Sequence, residues 1–399
     1  MARTLPLKGI TVVTLEHAIA APFCTRQLAE LGARVIKVER PGVGDFARGY
    51  DERVNGLASH FVWTNRSKQS VTLDLKHPQA GAVLARLLAR ADVLVQNLAP
   101  GAAARLGLSF EALHARHPRL IVCDISGYGD DPERPGAYRD KKAYDLLIQS
   151  ESGFVSITGS PDEPAKAGCS IADIAAGMYA YTNILAALIE RGLTGQGQRI
   201  DVSMLEAMVE WMGYPLYYAY GGAAPPPRAG AAHATIYPYG PFPAGDGRSV
   251  MLGLQNEREW QAFCAQVLLQ PALATDERFS SNGRRVQARE ALHALIVEAF
   301  APLTAEQVVE RLDAAQIANA AVNTMADVWA HPQLAARGRW TEVGTPAGAV
   351  PALLPPGVAG PEGAAIGPVP ALGEHTDAVL AELGYGPGDI ARLRAEHAL

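Results

Sequence analysis

The sequence is poor in the features that announce the commonest chemistries. Its four cysteines, Cys24, Cys123, Cys169 and Cys264, are far apart and form no C-x-x-C. That spacing argues against a disulfide framework or a cysteine zinc site, and it predicts a reducing, cytoplasmic setting. No G-x-G-x-x-G follows the first apolar stretch, and "GVGDFARG" (42–49) has the wrong spacing, so a nicotinamide or flavin site is not expected. G-x-x-x-x-G-K-[ST], H-E-x-x-H and G-x-S-x-G are also absent. The ten histidines are scattered without ligand-like pairing, and no metal is expected. Charge is nearly balanced, 35 basic against 41 acidic residues, which points away from nucleic acid or an anionic membrane as a partner. No uncharged apolar run reaches the roughly 18 residues of a membrane span. The opening "MARTLPLKGITVVTLE" shows no signal-peptide core.

What is present is a large apolar complement, 48% of 399 residues, more than one hydrophobic core usually serves. Short β-branched runs alternate with helical patterns through the first half. "GITVVTLE" (9–16), "RVIKVE" (34–39), "SVTLDL" (70–75), "DVLVQN" (92–97) and "LIVCDIS" (120–126) read as strands. "APFCTRQLAELG" (21–32), "HPQAGAVLARLLARA" (77–91) and "SFEALHARHP" (109–118) read as helices. This alternation predicts an α/β fold with a doubly wound parallel sheet covered by helices on both faces. A long helix from Ser170 to about Arg191 follows, then a strand, "QRIDVS", and a helix through "MLEAMVEWMGYPLYYAYG". The Gly/Pro/Ala-rich stretch 221–234 reads as a linker into a smaller mixed domain. The expected division is 1–220 with 331–399 as the large domain and 221–330 as the small one. Residues 346–373 read as an extended, breaker-rich crossing, and two short helices close the chain.

One charge stands out. "AGCSIADIAAGMYA" (167–180) is small and apolar but for Asp173. Ser170 with an acid three residues later matches a capping box, in which Asp173 would only accept amide hydrogen bonds at a helix start. A second reading makes it reactive. Elsewhere, polar residues cluster near predicted strand ends: His17 after the first strand, Arg40 after the second, Lys76 after the third, and Asn97 with Arg105 after the fourth. A phosphorylated ligand lying across the carboxyl ends of a parallel sheet would meet such a set.

These residues lie in recognisable strings. "LPLKGITVVTLEHAIAAPFCTRQLAELGARVIKVERPGVGDFAR", "NRSKQSVTLDLKHPQ", "ADVLVQNLAPGAAARLGL", "LIVCDISGYG", "GQGQRIDVSMLEA" and "LGEHTDAVLAELGY" resemble, in order and spacing, the class III CoA-transferases. The resemblance spans essentially the whole chain. It implies an interlocked homodimer, coenzyme A and acyl-CoA as substrates rather than a resident cofactor, and Asp173 as the catalytic nucleophile, expected to be ionised at pH 7. It further implies that His17, Ala18, Arg40, Lys76, Asn97, Leu98, Arg105 and Lys142 contact CoA and that Ile19, Tyr144 and Asp145 line the acyl site. Ile19 stands where formyl-CoA transferase carries glutamine, and that enzyme's glycine-rich loop is not evident, so oxalate is not the expected acid. The opening segment looks most like the branch using succinyl-CoA and C4–C5 dicarboxylates, with an intramolecular mesaconyl-CoA transferase as a near neighbour. Arg48, Arg228 and His233 join Lys142 as candidates to hold a distal carboxylate. The α-methylacyl-CoA racemases share the fold but need a His–Asp pair where this chain reads Tyr144–Asp145, and tyrosine is a poor base at neutral pH.

Overall fold

The computed structural model describes residues 4–399. The chain divides into two compact units. One holds the residues up to Ser152 together with Ala167–Met212 and Pro332–Leu399; the other holds Gly153–Lys166 and Gly213–His331. The second unit therefore includes a short excursion, 153–166, from within the expected large domain.

The first unit is built on six strands: β1 (Thr11–Leu15), β2 (Arg34–Glu39), β3 (Lys68–Thr72), β4 (Val93–Gln96), β5 (Ile121–Ser126) and β6 (Arg199–Ser203). They lie in the order β3-β2-β1-β4-β5-β6. Every pairing is parallel, with Val13 opposite both Ile36 and Leu94. The chain reverses its direction of winding between β1 and β4. A crevice at such a switch point, beyond the carboxyl ends of the strands, is where open α/β sheets take ligands.

Among the helices of this unit are α1 (Ala20–Glu30), α2 (Ser59–Asn65), α3 (Ala80–Leu88), α4 (Ala102–Arg105), α5 (Phe110–His114) and α6 (Asp145–Glu151). After α7 (Phe154–Ile157), which belongs to the second unit, come α8 (Ile171–Thr194) and α9 (Met204–Trp211). One face of the sheet packs with α3, α5 and the C-terminal helices into a core that includes Val13, Ile36, Val71, Leu87, Leu94 and Leu380. Each such side chain contributes about 1.5–3 kcal/mol through burial. Helix α8 packs along α1 and borders β5 and β6. It is 24 residues long and apolar enough by composition to cross a membrane. Here it buries Ala172, Ala175, Ala176, Gly177, Ala180, Ile184 and Ala187.

Two expectations shift. The helix expected to run through "MGYPLYYAYG" stops at Trp211, and a separate helix spans Gly213–Tyr218. The expected 346–373 crossing begins as a hairpin, β10 (Trp340–Thr345) with β11 (Gly348–Leu353). The second unit carries its own antiparallel sheet, β7 (Tyr239–Pro243), β8 (Ser249–Gly253) and β9 (Ala318–Ala321), in that order. Its separate core is centred on Phe242, Trp260, Phe279 and Phe300.

Candidate active site

The first turn of α8 answers the question its sequence poses. Ser170 is the N-cap residue, but its side chain makes no capping hydrogen bond. The acid that serves this helix end comes from elsewhere. Asp145, at the start of α6, accepts the Ala172 N–H at 2.8 Å and the Gln149 amide at 2.6 Å. Gln149 is itself buried and accepts the Ala167 N–H at 2.8 Å. Asp173 is thereby relieved of a structural duty, and among the described residues no hydrogen bond to its carboxylate is found. Burial, reinforced by the negative charge of Asp145, pushes its pKa up to about 7. The expected fully ionised carboxylate is therefore a group poised between its two forms at neutral pH, a condition that clusters at functional sites.

Helix α8 approaches α1 closely at Gly177. A Cβ there would lie 2.7 Å from the Ala20 carbonyl oxygen and 3.0 Å from the Phe23 ring. Asp173 lies four residues earlier, on the same helical face. The start of α1, met by α8 one helical turn beyond the acid, is bare in its own way. Ile19, its N-cap, offers no side-chain cap, and the first turn holds no acid. Among the described residues no acceptor takes the N–H groups of Ile19, Ala20 or Ala21. Free amides at the positive end of a helix dipole favour negative charge.

The turn before α1 is held tightly. The Asn97 side chain accepts the His17 N–H and donates to the His17 carbonyl, both at 2.9 Å. Ala18 has φ of 61°, in the left-handed region. The His17 ring stacks on Phe46 with centroids 4.6 Å apart, and burial lowers its pKa, so the imidazole is neutral. The Tyr50 phenol is raised by burial and by the charges of Asp45 and Asp173.

Beneath the turn lies a buried ionic cluster. Glu16, Lys37, Asp45 and Lys68 have fully buried side chains. Lys68 Nζ donates to Glu16 at 2.7 Å and Lys37 Nζ to Asp45 at 2.5 Å, with Asn65 accepting from both lysines. The two acids and two bases cancel, as buried charge requires.

Residues 7–376 match CoA-transferase family III. The chain belongs to that family. Its similarity to the succinate–glutarate CoA-transferase of Agrobacterium fabrum is 35% identity over 396 residues, 96% of each chain. Its similarity to the succinyl-CoA–D-citramalate CoA-transferase of Chloroflexus aurantiacus is 32% over 402 residues, 99% of this chain and 98% of the relative. A CAIB/BAIF family protein from Brucella suis, solved by crystallography, superposes with a TM-score of 0.82 at 34% identity, covering 96% of this chain and 100% of that one. The protein is an enzyme whose family acts on CoA thioesters.

Within this family III CoA-transferase the cations expected from sequence fall into two groups. Arg40 at the exit of β2, Lys76 beyond β3, Arg105 at the end of α4 and Lys142 ahead of α6 are exposed and form no salt bridge among the described residues. Leu98 follows Asn97, its N–H accepted by Gln96 at 2.7 Å. Arg48 and Arg228 are engaged instead. Arg48 chelates Glu39 through two bonds of 2.8 Å, and its guanidinium stacks 3.8 Å over Phe61. Arg228, in the second unit, donates to the carbonyls of Ser156, Ser160 and Pro161. His233, also in that unit, accepts the N–H groups of Thr235 and Ile236 on Nδ1 and stacks on Tyr239. That arrangement puts its proton on Nε2. Tyr144 is 71% exposed and precedes an acid already engaged by Ala172 and Gln149, a poor setting for a proton-transfer pair.

Sequence reasoning missed Glu16, Lys37, Asp45, Tyr50 and Lys68. The available signal was Lys37 in "RVIKVE", set between the apolar residues Ile36 and Val38 in the middle of a strand.

Proposed function

We propose that this enzyme moves CoA from an acyl-CoA, succinyl-CoA being the favoured donor, to a C4–C5 dicarboxylic acid, with Asp173 as nucleophile. The reading rests on one observation above others: Asp173 is a half-buried carboxylate without a hydrogen-bond donor among the described residues, while Asp145 does the capping it would otherwise do. Ionised Asp173 attacks the thioester carbonyl. The C–S bond breaks, leaving an acyl-aspartyl anhydride and CoA thiolate. The thiolate then attacks the aspartyl carbonyl, releasing the donor acid as its carboxylate and leaving an aspartyl-CoA thioester. The acceptor carboxylate repeats the exchange in reverse and departs as its CoA ester, which regenerates Asp173. Each step trades one activated acyl group for another, so no external energy source is needed.

The small apolar side chains flanking Asp173 keep water from the anhydride. A desolvated carboxylate is also a stronger nucleophile than a solvated one. The unclaimed amides at the start of α1 suit the oxyanions that form at each step. Arg40, Lys76 and Arg105 would carry the phosphates of CoA. The succinate–glutarate and citramalate relatives support the dicarboxylate assignment.

The test is a panel of mono- and dicarboxylates incubated with succinyl-CoA, with new CoA esters read by mass spectrometry. Ester formation confined to C4–C5 dicarboxylates supports the assignment. A flat response across that group, or preference for oxalate, removes it while leaving the family intact.

A further inference from the structure

The buried ionic cluster has a cost that its own pairs do not justify. Four ions removed from water gain little over an apolar core of equal volume. What sets this cluster apart is where one member points. Asp45 Oδ1 accepts the Ala18 N–H and the Ala47 N–H, each at 2.9 Å, while Oδ2 takes Lys37. Its carboxylate therefore joins the cluster to the one left-handed residue in the turn between β1 and α1. Alanine does not hold that conformation unaided. On the other side Asn97 fixes only the His17 peptide. A second tie runs from Lys68 Nζ to the Pro22 carbonyl at 3.0 Å, inside the first turn of α1.

We propose that Asp45 is a positioning residue for CoA transfer. By holding Ala18 in the left-handed conformation, it aims the unclaimed amides of Ile19 and Ala20 at the carbonyl carried by Asp173. Lys37 supplies the counter-charge and the donor that hold Asp45 oriented without water. Asp45 touches no substrate atom; it acts through the Ala18 backbone. The inference rests on the reading of Asp173 as nucleophile, and it adds the reason why a charged cluster is buried directly beneath this turn.

The test compares steady-state transfer from succinyl-CoA to the best acceptor for four enzymes: wild type, Asp45→Ala, Asp45→Asn and the double variant Asp45→Ala/Ala18→Gly. Misplacing catalytic groups by about 1 Å costs on the order of 10²-fold. Asp45→Ala is therefore expected to lose roughly 10- to 100-fold in kcat, with a smaller change in KM. Asp45→Asn keeps an acceptor for Ala18 and recovers most of that loss. The double variant also recovers rate, because glycine adopts positive φ without help. Glu30→Gln, which breaks the buried Arg66–Glu30 pair at the far end of α1, serves as a control. It should lower Tm and leave kcat unchanged.

The proposal falls if folded Asp45→Ala matches wild type within about twofold, or if Ala18→Gly gives no recovery in that background. Should Asp45→Ala fail to fold, Asp45→Ser replaces it under the same criteria. Asp173→Asn is measured alongside. If it turns over normally, the nucleophile reading and this inference fall together; if it is inactive while Asp45→Ala is unaffected, only this inference falls.

Discussion

Two carboxylates of the same unit, Glu16 fully buried and Asp173 half-buried, have opposite fates. Glu16 follows β1 and receives Lys68, Lys37, Thr14 and Thr25. Burial alone would raise its pKa, but Lys68 and then Lys37 outweigh that and hold it down at about 2. Asp173 opens α8, receives no such donors, and is pushed up to about 7 by burial and by Asp145. The residue types differ by one methylene, so the divergence belongs to the surroundings. A carboxylate whose lone pairs are all taken stabilises the frame around it; one partly desolvated and left bare is high in energy and therefore able to react. The linkage signs follow. Glu16 contributes stability above its ordinary titration range that is lost as pH falls towards 2. Asp173 costs stability that accumulates as pH rises from about 4 through about 7.

The largest effect should come from deleting the bare acid. Asp173→Ala and Asp173→Asn are expected to lower CoA transfer by on the order of 10³-fold or more while the protein stays folded. Hydroxylamine trapping in the presence of acyl-CoA should modify a peptide containing residue 173 in wild type and in neither variant. At pH 8 Asp173→Asn should also be more stable than wild type, by on the order of 2 kcal/mol once screening is allowed for. At pH 4 that advantage should vanish. Equal melting temperatures at both pH values would mean that the carboxylate is not desolvated.

The opposite manipulation breaks the paired acid. Lys68→Met removes the closest cation of Glu16 and leaves a buried carboxylate short of charge and of a donor. Such a loss costs about 3–5 kcal/mol. Urea unfolding should show a midpoint shift at unchanged slope. The double variant Glu16→Gln/Lys68→Met should recover part of the loss, since no unpaired ion remains. A Lys68→Met protein as stable as wild type would show that the cluster is solvated.

The same contrast explains what could be read from the chain before folding. The doubly wound sheet was legible because its strands are short, β-branched and separated by helical periods, and "RVIKVE" coincides with β2 residue for residue. The sequence pattern puts the third strand two residues late, at 70–75, because Lys68 and Gln69 look like loop residues; in the fold they begin the strand, and Lys68 is buried by its partners. The helix after β6 was drawn too long because its apolar pattern continues past Met212, where Gly213 and Pro215 interrupt it. Asp173 was visible as a lone charge in an apolar run. That Asp145 takes over its capping duty was not, since Asp145 and Ala172 are 27 residues apart and nothing local links them. The Glu16–Lys37–Lys68–Asp45 cluster assembles from four segments, and each charge but Lys37, taken singly, resembles a solvated one.

A smaller effect should come from altering the neighbour of the bare acid. Asp145→Asn keeps an oxygen for the Ala172 N–H but removes a negative charge beside Asp173. Less repulsion favours the ionised form, so the pKa of Asp173 must fall, though burial, the larger cause, keeps it above the ordinary carboxylate range. The acidic limb of the kcat profile should therefore move to lower pH, by a few tenths of a unit to about one unit. Movement to higher pH, or none, would detach that limb from Asp173.

The smallest effect separates the two accounts of the α8 terminus. A working N-cap serine replaced by alanine costs about 0.5–2 kcal/mol. Ser170 makes no capping bond, so Ser170→Ala should change stability by less than about 0.5 kcal/mol, measured by urea unfolding. The capping cost should appear at Asp145→Ala, which strips the acceptor from Ala172 and leaves Gln149 unsatisfied. If Ser170→Ala proves the costlier of the two, the first turn of α8 is capped from within. Asp173, as the acidic partner of a capping box, would then have the structural occupation that its bare carboxylate argues against.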